Sequence, residues 1–203
     1  MGKNHQVKYH EKSTKSVKGG FIRLISGKWR GKKLSVQDKA GLRPTTDRTK
    51  ETLFNWLMQD IRDASCLDCF SGSGSLAFEA LSRYAKNVTL LEKDNQVANQ
   101  LRENLKTLKV DNATLIETDS IHYLQQTACQ KFDIVFIDPP FFNGLLQPCC
   151  NALEINDYLA ENALIYIEKE TLSNDFSAPK NWQLLKEKST AQVSYQLYLR
   201  GVK

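Results

Sequence analysis

From residue 66 onward, short apolar runs alternate with longer amphipathic stretches. The apolar runs span 66–70, 88–92, 113–118, 132–138 and 163–168. Each is too short for a typical helix and too continuous for a strand with one wet face, so each reads as a strand buried on both sides. Between the second and third, Val97, Leu101, Leu105 and Leu108 recur at helical spacing. Strand, helix, strand in this order predicts a mostly parallel α/β sheet with helices on both faces. The runs 182–186 and 193–200 are close enough to form an antiparallel hairpin at a sheet edge.

The first quarter of the chain differs in charge. Of 203 residues with net charge +5, residues 1–50 carry net +11 and the remainder net −6. A basic arm on an acidic body suits a polyanionic partner, because each Lys or Arg that neutralises a phosphate releases counterions. Residues 1–20 read as a flexible basic tail. Residues 21–45 read as a basic hairpin, with 21–26 and 29–36 flanking a turn at Gly27-Lys28. Residues 46–203 read as the main domain. Thr45, Thr46 or Asp47 is expected to cap a helix that buries Leu53, Phe54, Leu57, Met58 and Ile61 on one face.

No stretch approaches the ~18 apolar residues of a membrane span, and the first twenty residues lack the apolar run of a secretory signal. A cytoplasmic protein with no membrane partner is expected. Five cysteines, an odd number, then read as reduced thiols. Cys66 and Cys69 have redox spacing, but the segment is a buried strand and packing is the simpler reading. The three histidines have neither metal spacing nor a nucleophile partner, so no metal is expected.

Two constellations carry chemistry. In the first, Leu67-Asp68-Cys69-Phe70 runs into Ser71-Gly72-Ser73-Gly74-Ser75 and then a helix. Glycines let a ligand approach the backbone closely, and free N–H groups at a helix start favour a negative or polar group. Glu92, at the end of the next strand, is placed to accept hydrogen bonds from a ribose diol. Asp119 and Ser120 follow the third strand at the same edge, where they could meet an adenine or simply cap a helix. An adenosine-type cofactor follows, with NAD and S-adenosylmethionine both allowed. In the second constellation, the strand 132–138 ends in Asp138-Pro139-Pro140-Phe141. The prolines end the ladder and stiffen the loop. Asp138 and the Pro139 carbonyl offer two acceptors and Phe141 a flat face, which suits the exocyclic amino group of a flipped base.

These residues resemble the cofactor loop, ribose acid and amino-methylation motif of class I S-adenosylmethionine-dependent methyltransferases. The segments 25–31, 42–48 and 51–57, which include Lys28-Trp29-Arg30-Gly31 and Arg43-Pro44-Thr45-Thr46-Asp47-Arg48, closely resemble the RsmD family of bacterial 16S rRNA guanine-N2 methyltransferases. The resemblance implies a Rossmann-like seven-stranded sheet with an N-terminal hairpin extension. It implies methylation of guanine 966 in 16S rRNA, in small-subunit particles or assembly intermediates, by a monomer. Carried over, Asp68, Phe70, Gly72 and Gly74 line the methionine end of the cofactor, Glu92 holds the ribose, and Asp119 with Ser120 meets the adenine. Asp138, Pro139, Pro140 and Phe141 present the guanine amino group. Arg23, Lys28, Arg30, Lys32, Lys33, Arg43 and Arg48 are the candidate RNA contacts. The competing classes are another DNA or RNA amino-methyltransferase, a nicotinamide-dependent oxidoreductase, and a non-catalytic RNA-binding factor on the same fold.

Overall fold

The computed structural model describes residues 20–37, 39, 45–172 and 176–201. Nine strands and five helices follow one another in it: β1 (Gly20–Arg23), β2 (Lys33–Val36), α1 (Asp47–Trp56), β3 (Ser65–Asp68), α2 (Ser75–Ser82), β4 (Asn87–Glu92), α3 (Asn95–Leu108), β5 (Ala113–Glu117), α4 (Ser120–Leu124), β6 (Phe132–Ile137), α5 (Leu146–Ile155), β7 (Leu159–Glu170), β8 (Trp182–Ser189) and β9 (Val193–Arg200). Seven strands form one sheet in the order β5-β4-β3-β6-β7-β9-β8. The pairs from β5 through β7 are parallel, and β9 is antiparallel to both its neighbours. The sheet is thus the mostly parallel α/β arrangement expected from the alternation, with the antiparallel hairpin at its edge, and it has the seven strands that the resemblance implies.

Alternate residues of the central strands feed two hydrophobic clusters, one on each face, because successive side chains in a strand point to opposite sides. Cys66, Leu90, Ile134, Phe136 and Tyr166 join the cluster covered by α1, α2 and α3. Leu67, Leu91, Val135, Ile137 and Ile165 join the one covered by α4 and α5. The thiols of Cys66 and Cys69 lie within these clusters, and burial pushes both well up, as inert packing requires.

β1 and β2 form a separate antiparallel ribbon, with Phe21 opposite Ser35 and Ile22 opposite Leu34. The second strand begins at Lys33 rather than Trp29, because Gly27–Trp29 is a single 3-10 turn and the connection runs from Leu24 to Lys32. That longer connection docks on α2. Ser82 Oγ donates to Ser26 O at 2.5 Å and accepts from Trp29 N at 3.1 Å, while Glu79 Oε2 accepts from Ile25 N at 2.9 Å. Ile22, Leu24, Leu34 and Val36 meanwhile enter the α1–α3 cluster. Lys50 is fully buried beneath the ribbon, where its ammonium donates to Arg23 O and pairs with Asp47.

Thr46 is the residue that caps α1, its side chain accepting from Thr49 N at 3.2 Å. Leu53, Phe54, Leu57 and Ile61 are buried as expected. Met58 is not: the helix ends at Trp56, the following turn changes the periodicity, and Met58 is left 67% exposed.

At the far edge Glu154 of α5 and Arg200 of β9 form a buried forked pair, with Arg200 Nε donating to both carboxylate oxygens at 3.0 and 3.2 Å and Nη2 donating at 3.1 Å. Asn181 and Trp182 donate to the same carboxylate. Removing one partner of such a pair leaves a buried charge unsatisfied, which typically costs about 3–5 kcal/mol. Glu154→Ala is therefore expected to lower the unfolding free energy by about that amount in urea titrations, and a change under about 1 kcal/mol would contradict this role.

Candidate active site

The acids that end the parallel strands meet at one place. Asp68 ends β3, Glu92 ends β4, Asp119 follows β5 and Asp138 follows β6. All four line a cavity of about 1180 Å³ at the carboxyl edge of the sheet. In open α/β sheets that edge, near the point where strand order reverses, is where ligands sit. Here the reversal lies between β3 and β6. The volume exceeds the ~300–1,000 Å³ usual for one small ligand, leaving room for a cofactor and part of a second reactant.

Phe70, Gly72, Ser120, Pro139, Pro140 and Phe141 line the same cavity. Gly74 does not: it sits one layer back, starting α2 in the left-handed region with φ +75°. A Cβ there would lie 2.5 Å from Phe78 and 2.7 Å from Leu101. Its demand is thus the sharp turn and the close packing of α2 on α3.

The turn it makes leaves Ser75 at the first position of α2, lining the cavity, 2% exposed. Its hydroxyl is buried without a hydrogen-bond partner among the described residues. A buried hydroxyl is ordinarily satisfied, so this one is free to bond a polar group of a ligand. Together with the unpaired N–H groups of a helix start, it fits a carboxylate such as that of a methionine moiety.

Glu92 closes the loop from the other side. Its Oε2 accepts from Gly72 N at 2.9 Å and its Oε1 from Asp94 N at 2.8 Å. Each oxygen keeps further lone-pair capacity, so a diol can bind without displacing the loop. Asp119 is both helix cap and cavity wall: its Oδ1 accepts from Ile121 N at 3.0 Å and His122 N at 3.1 Å. Ser120 turns its hydroxyl to Cys69 O and so ties α4 to the loop after β3.

Burial raises Asp68 to about 7. The charge of Glu92 adds to the rise, and hydrogen bonds from the backbone of Phe70 and Ala77 oppose it. Asp138 is held well above the carboxylate range, first by burial and then by the charges of Glu168 and Asp68. A raised carboxyl favours the fold while protonated, so this stability is complete below the unfolded value of 3.8 and is lost as pH rises through about 7. The ligand-free protein is expected to melt progressively lower from pH 4 to pH 8, and Asp68→Asn to flatten that slope. An unaltered slope in Asp68→Asn melting curves would show that Asp68 is not a source of it.

Two further walls complete the cavity. Thr45, Thr46, Arg48, Thr49 and Thr52 come from the start of α1, and residues 188–193 with Tyr195 come from the β8–β9 tip. Lys188 Nζ donates to Thr52 Oγ1 at 3.2 Å, which joins the two walls. Tyr166 and Glu168 of β7 also face the cavity. Glu168 could have been found from its pattern alone, since it ends an apolar run as Asp138 does. At the lip, Phe142 is 91% exposed with φ +61° and stands edge-on to Phe141, with 6.4 Å between ring centroids.

Of the basic candidates, Arg48 lines the cavity. Arg23 pairs with Asp47 at 2.5 Å, Lys28 lies over the Trp29 ring and Lys33 over the Phe21 ring. Arg30 and Lys32 are exposed on the docked connection. A shallower hollow lined by Phe21, Arg23 and Lys33 meets the main cavity at Thr45 and Thr46. Arg43 and residues 1–19 lie outside the described residues. Trp29 packs against the core.

A family profile described as conserved hypothetical protein 95 matches residues 22–199. The chain is 53% identical over 181 residues to ribosomal RNA small subunit methyltransferase D of Escherichia coli K12, covering 89% of this chain and 91% of that one. It is 54% identical over 182 residues to the protein of the same name from Haemophilus influenzae, covering 88% and 94%. The solved structure of YhhF from Escherichia coli superposes with a TM-score of 0.86 at 52% identity, covering 91% of this chain and all of that one.

Proposed function

Since the chain belongs to the RsmD family of ribosomal RNA small-subunit methyltransferases, we propose that it methylates the N2 amino group of guanine 966 in 16S rRNA. The substrate is the small-subunit particle or an assembly intermediate, and the enzyme acts as a cytoplasmic monomer. The cofactor is S-adenosylmethionine, as throughout this class of methyltransferase. No helix among the described residues is long and apolar enough to cross a membrane. The observation that carries the reading is the single cavity that holds Asp68, Glu92 and Asp119 on one side and Asp138-Pro139-Pro140-Phe141 on the other.

S-adenosylmethionine supplies a methyl group made electrophilic by its sulfonium. Ser75 and the start of α2 would receive its methionine carboxylate, Asp68 would face the methionine end, Glu92 would hold the ribose diol, and Asp119 with Ser120 would meet the adenine. The flipped guanine stacks on Phe141. Its amino lone pair is delocalised into the ring and nucleophilic only when turned out of that plane. Asp138 and the Pro139 carbonyl accept the two N–H bonds and turn the lone pair toward the methyl carbon. A methylated nitrogen would carry one proton too many and would have to lose it. Asp138, adjacent to that proton, takes it or passes it to water. Acceleration comes from orientation and preorganised acceptors. Basic side chains of the ribbon and Arg48 bind phosphates around the cavity mouth.

The test is transfer of labelled methyl from S-adenosylmethionine to small-subunit particles from cells lacking the modification, followed by nucleoside analysis. Label in N2-methylguanosine at one site is the expected result. Label in a different nucleoside would keep the chemistry and overturn the base assignment, and absence of transfer to any nucleic acid would overturn the function.

A further inference from the structure

A second acid shares the base side of the cavity. Parallel pairing sets Ile137 of β6 beside Ile167 of β7, which places Asp138 and Glu168 next to each other just beyond the register. Both line the cavity. Tyr166, two residues earlier on the same face of β7, is fully buried and donates its hydroxyl to Glu168 Oε2 at 3.2 Å. Burial, followed by the charges of Glu168 and Asp138, pushes the Tyr166 phenol well up, so it remains a donor and orients the Glu168 carboxylate. Two half-buried carboxyl groups side by side oppose one another when both are charged, and a ligand that brings donors relieves this.

The bases differ in what they bring. On its Watson–Crick edge guanine presents N1–H beside the N2 amino group, two neighbouring donors. Adenine and cytosine each place an unprotonated ring nitrogen beside the amino group, which would meet a carboxylate lone pair to lone pair.

We propose that Glu168 reads the base: its carboxylate, oriented by Tyr166, accepts N1–H of the flipped guanine while Asp138 and the Pro139 carbonyl hold the amino group. This rests on the guanine-N2 reading above and deepens it, since it names what selects guanine. Asp138-Pro139-Pro140-Phe141 serves any exocyclic amino group, and Glu168 supplies the discrimination.

The experiment compares particles reconstituted with guanine or with 2,6-diaminopurine at the target position. Diaminopurine keeps the reacting N2 amino group but has an acceptor at N1. Wild-type enzyme is expected to favour guanine by tenfold to a hundredfold in kcat/KM, on the order of one base-edge hydrogen bond. Glu168→Gln, whose amide can donate to N1, is expected to lose activity on guanine and gain it on diaminopurine. The ratio should narrow at least tenfold, with S-adenosylmethionine affinity unchanged. Glu168→Asp is expected to retain the preference at reduced rate.

An unchanged ratio in folded Glu168→Gln would overturn the proposal and leave the guanine-N2 reading intact. Wild-type enzyme that methylates both bases equally would overturn it whether or not the variant folds. Wild-type enzyme that places no methyl on guanine N2 in natural particles would instead remove the reading on which the proposal rests.

Discussion

Asp138→Ala is expected to reduce methyl transfer to small-subunit rRNA by at least ~10²–10³-fold, the usual cost of removing one preorganised hydrogen-bonding group aimed at the reacting centre. The dissociation constant for S-adenosylmethionine should stay within about twofold of wild type, because the contacts assigned to the cofactor come from the ends of β3 and β4, the loop after β5, and the start of α2. Asp138→Asn keeps an acceptor oxygen but forfeits the second carboxyl oxygen, the one able to receive the proton. It should therefore fall between the two. Calorimetric titration of the cofactor and labelled-methyl transfer separate the two effects. Transfer at wild-type rate in Asp138→Ala would remove Asp138 from the mechanism, and lost cofactor binding would move it to the other side of the cavity.

Gly27→Ala is expected to have a large effect although Gly27 lies away from the cavity. Gly27 has φ +77°, and a Cβ built on it would lie 1.8 Å from Ser82 O and 2.4 Å from Ser82 C. Those atoms belong to the backbone of α2 and cannot rotate aside. The connection between β1 and β2 must lift from α2, which breaks the bonds of Ser26 and Trp29 to Ser82 and of Ile25 to Glu79. Glu79, fully buried, then retains only its pair with Arg83. The expected loss is about 3–5 kcal/mol, the scale of leaving buried polar groups unsatisfied under backbone strain. With the ribbon displaced, transfer to particles should fall at least tenfold, whereas cofactor binding in protein kept folded at low temperature should persist. A melting temperature within about 2 °C of wild type would show that the connection does not need this contact.

The central strands of the main sheet were legible because they are buried on both faces; β5, expected to be the same, is only half-buried and β8 is largely exposed, because both lie at sheet edges. The ribbon was legible as a pair but not in its connection, since Gly27–Trp29 folds as a 3-10 turn to meet α2, a tertiary demand that local pattern does not carry. Met58 misled for the opposite reason: helical periodicity was continued past the point where the helix stops. Within the site, residues at strand ends announced themselves through acids, glycines and prolines. Gly74 has the loop position expected of a ligand-facing residue but answers to Phe78 and Leu101 instead. Thr49 and the β8–β9 tip left no mark, because they join the marked segments 42–48 and 51–57 in one wall only when distant parts of the chain are brought together.

The strand order carries a consequence for when the enzyme can work. β8 is made before β9 yet pairs with no other strand, and β9 inserts between β7 and β8. During synthesis, β8 therefore waits without a ladder until residues 193–200 emerge, and the cavity lacks its wall of residues 188–193 for the same interval. The walls built on β3 and β4 do not wait for β9, whereas the wall of residues 188–193 does, so the cavity gains its walls in an order that the strand order sets.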